Sequence, residues 1–361
     1  MKILFFLSSL KNKGGVESAT VALINSLAES SSHEIYLLTL NDKVDDFAFA
    51  VRPNITVLNL NILSYKREYF SMIFRFRKLI KKMKIDVVIS VEAISLLFSF
   101  LPMLGIQKNT KLVVWEHFNF KNNNGRKSRE FFRKLAARYA DMIVTLTERD
   151  VMMWREHLKM KAPITFIYNI SSYENINNPY SVKSRKAIAI GRYVPVKGFE
   201  RLIRIWSNMS RKYDIKDWEL QIVGYGDLES TYSELIHSEN CTSIILKNGA
   251  AGTQQFLLNA GIYCMTSFFE GLPMVLIEAQ NFGLPCISFD IYSGPSEILT
   301  ENSGVLIADG NMEEYTDKLF ELISNEELRS EMSDSAYVLS QRFKPKEILE
   351  SWENIFEKIV Q

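Results

Sequence analysis

Two glutamates, Glu270 and Glu278, stand in the run Phe268-Phe269-Glu270-Gly271-Leu272-Pro273-Met274-Val275-Leu276-Ile277-Glu278-Ala279. The run reads as a strand end, a glycine turn and a helix opening near Pro273, where proline is tolerated. Free backbone N–H groups at such an opening can receive phosphate or sugar hydroxyls. Glu270 then lies in the loop and Glu278 two turns into the helix. Such a spacing lets one carboxylate face a ligand held at the loop and the other accept bonds from a second hydroxyl-rich group. Taken alone, the pair is more simply a loop glutamate and a helix glutamate facing solvent.

A second segment adds cations. Gly191-Arg192-Tyr193-Val194-Pro195-Val196-Lys197-Gly198-Phe199 directly follows an apolar run that reads as a strand. Arg192 and Lys197 share a glycine-bounded loop before a helix, where both can reach one diphosphate. Arginine offers a fork for phosphate oxygens and lysine a compact charge. Elsewhere such residues are ordinary solvated cations. Val223-Gly224-Tyr225-Gly226-Asp227 ends another strand with two glycines, a weak signal by itself. No Asp-x-Asp triplet occurs, and the four histidines, His33, His117, His157 and His237, show no ligand spacing. No metal is therefore expected.

The elements that must carry these loops recur with one rhythm. Ile3–Leu7, Ile35–Thr39, Ile55–Leu60, Val87–Val91, Leu112–Trp115 and Met142–Thr145 read as strands between helical patterns. Ala187–Ile190, Glu219–Val223, Ser243–Leu246, Ile262–Met265, Pro285–Phe289 and Gly304–Ile307 repeat the pattern. Apolar strands separated by helices imply parallel sheets covered on both faces. The fold class is α/β, with two doubly wound, Rossmann-like domains and a cleft between their strand ends. The boundaries are 1–170, a polar linker at 171–184, 185–345, and a terminal helix at 346–361 that crosses back to the first domain.

The 361 residues suit two domains of ordinary size. Cys241, Cys264 and Cys286 are scattered, which argues for a reducing compartment and against a disulfide framework. The apolar start, Met1 to Leu10, lacks a small-residue cleavage site and reads as a first buried strand. Val87 to Ile106 is long enough to span a bilayer but holds Glu92, Pro102 and Gly105, so a strand and a buried helix are expected.

Taken together, GRYVPVKGF, IVGYGDLE, FFEGLPMVLIEA, Gly283-Leu284-Pro285-Cys286-Ile287 and Ser293-Gly294-Pro295-Ser296-Glu297 resemble the retaining glycosyltransferases of family four, of GT-B fold. The resemblance runs from Gly14-Gly15-Val16-Glu17 to about Ile307. It implies that Arg192 and Lys197 bind the diphosphate and stabilise the departing charge. Glu278 holds the ribose, and Glu270 contacts the donor sugar near the reacting carbon. Backbone groups of Gly271, Leu272 and Met274 help fix sugar and phosphates, and Gly15 belongs to a glycine loop that approaches the diphosphate. Trp115-Glu116-His117-Phe118-Asn119 resembles the family's Glu-His segment, which places His117 against donor sugar and acceptor. Thr145-Leu146-Thr147-Glu148-Arg149-Asp150 matches another family segment, in which Thr147 reads as a helix cap.

The near-zero net charge hides an asymmetry. Residues 1–170 hold 26 Lys+Arg against 15 Asp+Glu, leaving 17 against 27 for the rest. Tyr65 to Lys84 carries eight cations and one anion with interleaved apolar residues, and Lys121 to Arg138 adds seven cations. A basic amphipathic helix of this kind can lie on an anionic membrane, or its apolar stripe can be core. The pairing of both stretches favours membrane or lipid-diphosphate contact. No nucleic-acid module accompanies the charge. The expected protein is cytoplasmic, peripheral on the inner face of the plasma membrane. It moves a sugar from a UDP-sugar to a polyprenyl-diphosphate-linked glycan in surface polysaccharide assembly. A UDP-sugar epimerase of the same fold and a non-catalytic sugar-nucleotide-binding subunit are the alternatives.

Overall fold

The computed structural model describes every residue except 13, 107, 124, 172, 174–178, 216, 251, 301 and 361, so part of the linker expected at 171–184 lies outside the described residues. The chain divides into two units, Met1–Ile170 with Pro345–Gln361, and Ser171–Lys344.

The first unit alternates β1 (Lys2–Phe6), α1 (Gly15–Ser30), β2 (Glu34–Thr39), β3 (Thr56–Asn59), α2 (Tyr65–Met83), β4 (Val87–Val91) and α3 (Leu96–Met103). It continues through β5 (Lys111–Trp115), α4 (Ser128–Tyr139), β6 (Met142–Thr145), α5 (Glu148–His157) and β7 (Ile164–Phe166). The strands form one parallel sheet in the order β3-β2-β1-β4-β5-β6-β7, with Ile3 opposite Val87 and Val91 opposite Trp115. Every residue of β4 is buried, as a strand covered by helices on both faces requires. Leu4, Phe6, Val88 and Val114 pack with Met72, Phe76 and Ile80 of α2. The three-residue edge strand β7 is an addition to the strands expected. It is too short for periodicity to reveal. The sheet grows to one side of β1 and then to the other, so the order reverses between β1 and β4. Ligands of doubly wound sheets bind at the carboxyl ends beside such a reversal.

The second unit runs β8 (Lys186–Ile190), α6 (Phe199–Lys212), β9 (Glu219–Gly224), α7 (Glu229–Ser238), β10 (Ile244–Asn248), α8 (Gln254–Leu258), β11 (Ile262–Met265) and α9 (Met274–Asn281). It closes with β12 (Cys286–Asp290), α10 (Pro295–Ile298), β13 (Gly304–Ala308), α11 (Met312–Ser324) and α12 (Glu326–Ser340). Its parallel sheet has the order β10-β9-β8-β11-β12-β13, with the reversal between β8 and β11. The last helix, α13 (Pro345–Val360), belongs to the first unit. Proline is pre-organised for its first turn. Trp352 packs edge-on to Trp115 with ring centres 5.3 Å apart, and Glu353 bonds His33 Nε2 at 2.8 Å. Among the described residues no helix is long and apolar enough to cross a membrane.

Candidate active site

The loops flanking the β8/β11 reversal carry the expected cations and carboxylates. After β8 the chain passes Gly191 and the exposed Arg192, then buries Tyr193. The Tyr193 hydroxyl donates to the carbonyls of Ile222 and Lys247 at 2.8 and 3.2 Å, which pins the loop to two neighbouring strands. A short helical turn, Pro195–Lys197, ends on Gly198 at φ +62°, and a Cβ there would stand 2.2 Å from the Thr266 carbonyl oxygen. Positive φ and backbone contact together require glycine at this position. Lys197 lies over Gly191, where a Cβ would meet its methylenes at 3.1 to 3.3 Å. Its Nζ reaches Glu270 Oε1 at 2.7 Å.

Ser267 Oγ donates to the same Glu270 oxygen at 2.8 Å. The Lys197 and Glu270 side chains keep 20% and 16% of their surface exposed, so both remain accessible to a ligand. Ser293, itself buried, donates to the carbonyl oxygens of Glu270 and Gly271 at 3.3 and 3.0 Å. Gly294, at φ +104°, has no room for a Cβ, which would stand 2.4 Å from Pro273 Cδ. The Ser293-Gly294-Pro295 segment therefore buttresses the Glu270–Pro273 turn. Pro273 caps α9, and Met274 is its first helical residue, preceded by Gly271 and buried Leu272. The first backbone N–H groups of a helix lack intrahelical acceptors and suit an anion. Glu278, the fifth residue of α9, is half-buried and just over one turn into the helix rather than the two turns expected.

Arg201 was not singled out by its sequence context, yet it ties this loop together. Its guanidinium donates to the carbonyls of Thr266 and Ser267 at 2.6 and 2.9 Å and to Asp309 at 2.8 Å. It also stacks on Phe268 at 3.8 Å and Phe289 at 4.4 Å. The spacing of Arg201 one helical turn after Lys197 was the available signal.

In the first unit, Gly14 caps α1, and a Cβ on Gly15 would meet nothing within 4 Å. Neither φ nor packing within the unit demands glycine at 15. His117 follows β5 and is buried, its ring 4.2 Å from that of Trp115, and its Nε2 has no hydrogen-bond partner among the described residues. Burial and then the nearby Arg129 charge push its pKa down to about 3, so the imidazole is neutral.

The basic stretch 121–138 needs a correction. Arg129 and Arg133 of α4 point inward and are 2% and 1% exposed. Glu116 takes Arg129 at 3.1 Å and Arg133 at 3.3 Å. Arg133 further donates to the carbonyls of Phe118, Asn119 and Phe120. These two cations hold the His117 loop and are not available to a membrane. Their partner comes from a loop distant in sequence, so charge counting misses the burial. Glu92, at φ +66° after β4, lies 3.4 Å from Arg129, and burial with Glu116 beside it raises its pKa to about 7. Thr147 does cap α5, accepting from the Asp150 N–H at 3.2 Å. Among the described residues no cluster of three or more His, Cys, Asp or Glu is placed to hold a metal ion.

Comparison with known proteins adds a family. The model of glycosyl transferases group 1 matches residues 174–338, and that of Glycosyltransferase Family 4 matches residues 13–170. An uncharacterized glycosyltransferase of Haemophilus influenzae is 30% identical over 98% of this chain and 99% of its own. The amylovoran biosynthesis glycosyltransferase AmsD of Erwinia amylovora is 28% identical over 98% and 99%. A Campylobacter jejuni protein, named as an alpha-1,4-N-acetyl-D-galactosaminyltransferase of a GalNAc-GalNAc-diNAcBac-PP-undecaprenol, is 24% identical over 99% of each chain. Among solved structures, a TarM mutant of S. aureus in complex with fondaparinux, alpha-GlcNAc-glycerol and UDP superposes with TM-score 0.78 at 17% identity, covering 98% and 99%.

Proposed function

The chain belongs to the group 1 glycosyltransferases of GT-B fold, and from that premise we propose that it is a retaining, metal-independent enzyme using a UDP-sugar. The acceptor is a polyprenyl-diphosphate-linked glycan, and the setting is surface polysaccharide assembly at the cytoplasmic face of the membrane. The observation that carries this reading is the Lys197–Glu270 contact of 2.7 Å at a sheet reversal, beside the opening of α9. A cation, a carboxylate and a helix N-terminus at one point suit a sugar diphosphate, with positive charge for the phosphates and an acceptor for a sugar hydroxyl. The UDP bound by TarM and the undecaprenol-linked acceptor of the Campylobacter jejuni relative support the donor and the acceptor class. AmsD supports the polysaccharide setting. The donor sugar is an N-acetylhexosamine or galactose.

In this reading Arg192 and Lys197 neutralise the diphosphate as its bond to the sugar carbon breaks. The acceptor oxygen bonds to the same face of that carbon, and its proton passes to the leaving phosphate. Glu278 holds the ribose, while backbone groups of Gly271, Leu272 and Met274 hold sugar and phosphates. For Gly15 and His117, in the first unit, the family resemblance implies roles towards phosphate and sugar. Glu270→Ala tests the assignment. Transfer is expected to fall by at least about a hundredfold with UDP binding retained, and unchanged turnover refutes the role of Glu270. Conversion of the UDP-sugar into an isomeric UDP-sugar, without any acceptor, would identify an epimerase.

A further inference from the structure

Helix α2 has two apolar faces, and only one of them is used by the fold. Met72, Phe76 and Ile80 are buried in the core of the first unit. On the opposite side Phe70 is 86% and Phe74 68% exposed, and Leu63, just before the helix, is 85% exposed. Three large apolar side chains pointing away from a completed core are not explained by folding.

The charges around them are sorted in the same way. Arg75 is spent on the carbonyls of Leu60 and Asn61, and Arg77 on those of Pro102 and Leu104. Glu68, the lone acid of the helix, accepts the N–H groups of Leu63 and Ser64 at 3.1 and 3.0 Å. It thereby fixes Leu63 in its outward position and leaves the outer face without negative charge. Lys66, Arg67, Lys78, Lys81, Lys82 and Lys84 remain exposed, with no carboxylate partner among the described residues. The outward stripe is thus Leu63, Arg67, Phe70, Phe74, Lys78 and Lys81, with cations on either side of the two phenylalanines.

We infer that this outer face of α2 docks the protein on a bilayer containing anionic phospholipid, with Phe70 and Phe74 entering the headgroup layer and the flanking cations meeting lipid phosphates. An apolar strip framed by unpaired lysines and arginines is complementary to that surface, whose phosphates lie level with the cations when the rings insert. A second copy of this chain fits poorly, because a two-fold contact through the stripe would set its cations against themselves. The inference deepens the membrane setting proposed above and relocates it. The contact is one helix face, to which the inward Arg129 and Arg133 contribute nothing.

The test is flotation of the full chain with vesicles of phosphatidylglycerol and phosphatidylethanolamine, and with vesicles of phosphatidylcholine alone, without donor or acceptor. Binding is expected to the anionic vesicles only and to weaken with salt. It should fall on the order of tenfold or more in Phe70→Ser/Phe74→Ser and in Lys78→Glu/Lys81→Glu/Lys82→Glu. All these positions are exposed, so the variants keep the fold, checked by a cooperative melting transition near that of the wild type. Absence of binding to anionic vesicles, or binding untouched by the phenylalanine variant, overturns the inference. So does a lipid-free dimer that the phenylalanine variant dissociates, which would assign the face to a second copy. Because binding is read without turnover, failure here leaves the transferase reading standing, and failure of transfer leaves this one standing.

Discussion

Replacing Arg133 by Met removes a buried guanidinium while keeping most of its volume, and the structure sets the size of the effect. Arg133 is 1% exposed and bonds Glu116 at 3.3 Å and the Asn119 carbonyl at 2.9 Å, with further bonds to the Phe118 and Phe120 carbonyls. Removing one partner of a buried pair typically costs about 3–5 kcal/mol, since the other charge and its acceptors stay behind without compensation. Arg129 still faces Glu116 at 3.1 Å, which places the expected loss near the lower end, about 3 kcal/mol. For a unit of this size that corresponds to a fall in Tm of about 6–12 °C. The assay is thermal unfolding of the full chain followed by circular dichroism, with the exposed Lys134→Met as control. Turnover should fall as well, because the bonds lost are those that fix the segment following His117. A loss below about 1 kcal/mol, equal to that of the Lys134 variant, would refute the reasoning. It would restore Arg133 to the solvated face that its sequence context suggests.

Three further outcomes follow from the site. Gly198→Ala should lower turnover by at least about tenfold and destabilise by more than about 2 kcal/mol, because both positive φ and a 2.2 Å approach to the Thr266 carbonyl oppose a Cβ; wild-type activity and Tm would contradict the contact. His117, with its folded pKa near 3 against 6.5 unfolded, binds its proton more tightly in the unfolded chain. Its effect on stability is therefore lost as pH falls from 6.5 towards 3, by about 1.4 kcal/mol per unit, and His117→Gln should flatten that fall in urea titrations. Glu92 acts in the opposite sense, because its folded pKa near 7 exceeds the unfolded 4.5. Its contribution is present below pH 4.5 and lost as pH rises to 7, so Glu92→Gln should gain stability relative to wild type at pH 8 compared with pH 5, by about 2–3 kcal/mol; equal differences at both pH values would refute the raised pKa.

Much of the fold was legible because apolar strand runs and glycine-ended loops are local signals. Val87–Val91 could be read as a covered strand from its composition alone, and Gly191 to Phe199 as a loop between strand and helix. What escaped the sequence depends on partners brought from afar. Ile164–Phe166 becomes a strand only because β6 lies beside it. Arg129 and Arg133 look like surface cations until the Glu116 loop folds onto them. Arg201 looks like a helix cation until the Thr266 and Ser267 carbonyls reach it. Ser293 fell within a recognisable motif, yet its bonds to the Glu270–Gly271 turn come from tertiary contact. On α2, the amphipathic pattern left core and membrane as alternatives; Met72, Phe76 and Ile80 are core, while the exposure of Phe70 and Phe74 on the other side could not be read from the pattern.

The most direct test of the central claim is nucleotide release from UDP-, GDP- and ADP-sugars in the presence of EDTA, with and without a polyprenyl-diphosphate-linked glycan extract. The account predicts extract-dependent release from a UDP-sugar that persists in EDTA and is lost in Arg192→Ala and Lys197→Ala. Release that requires a divalent metal, survives both substitutions, or proceeds without an acceptor would contradict it.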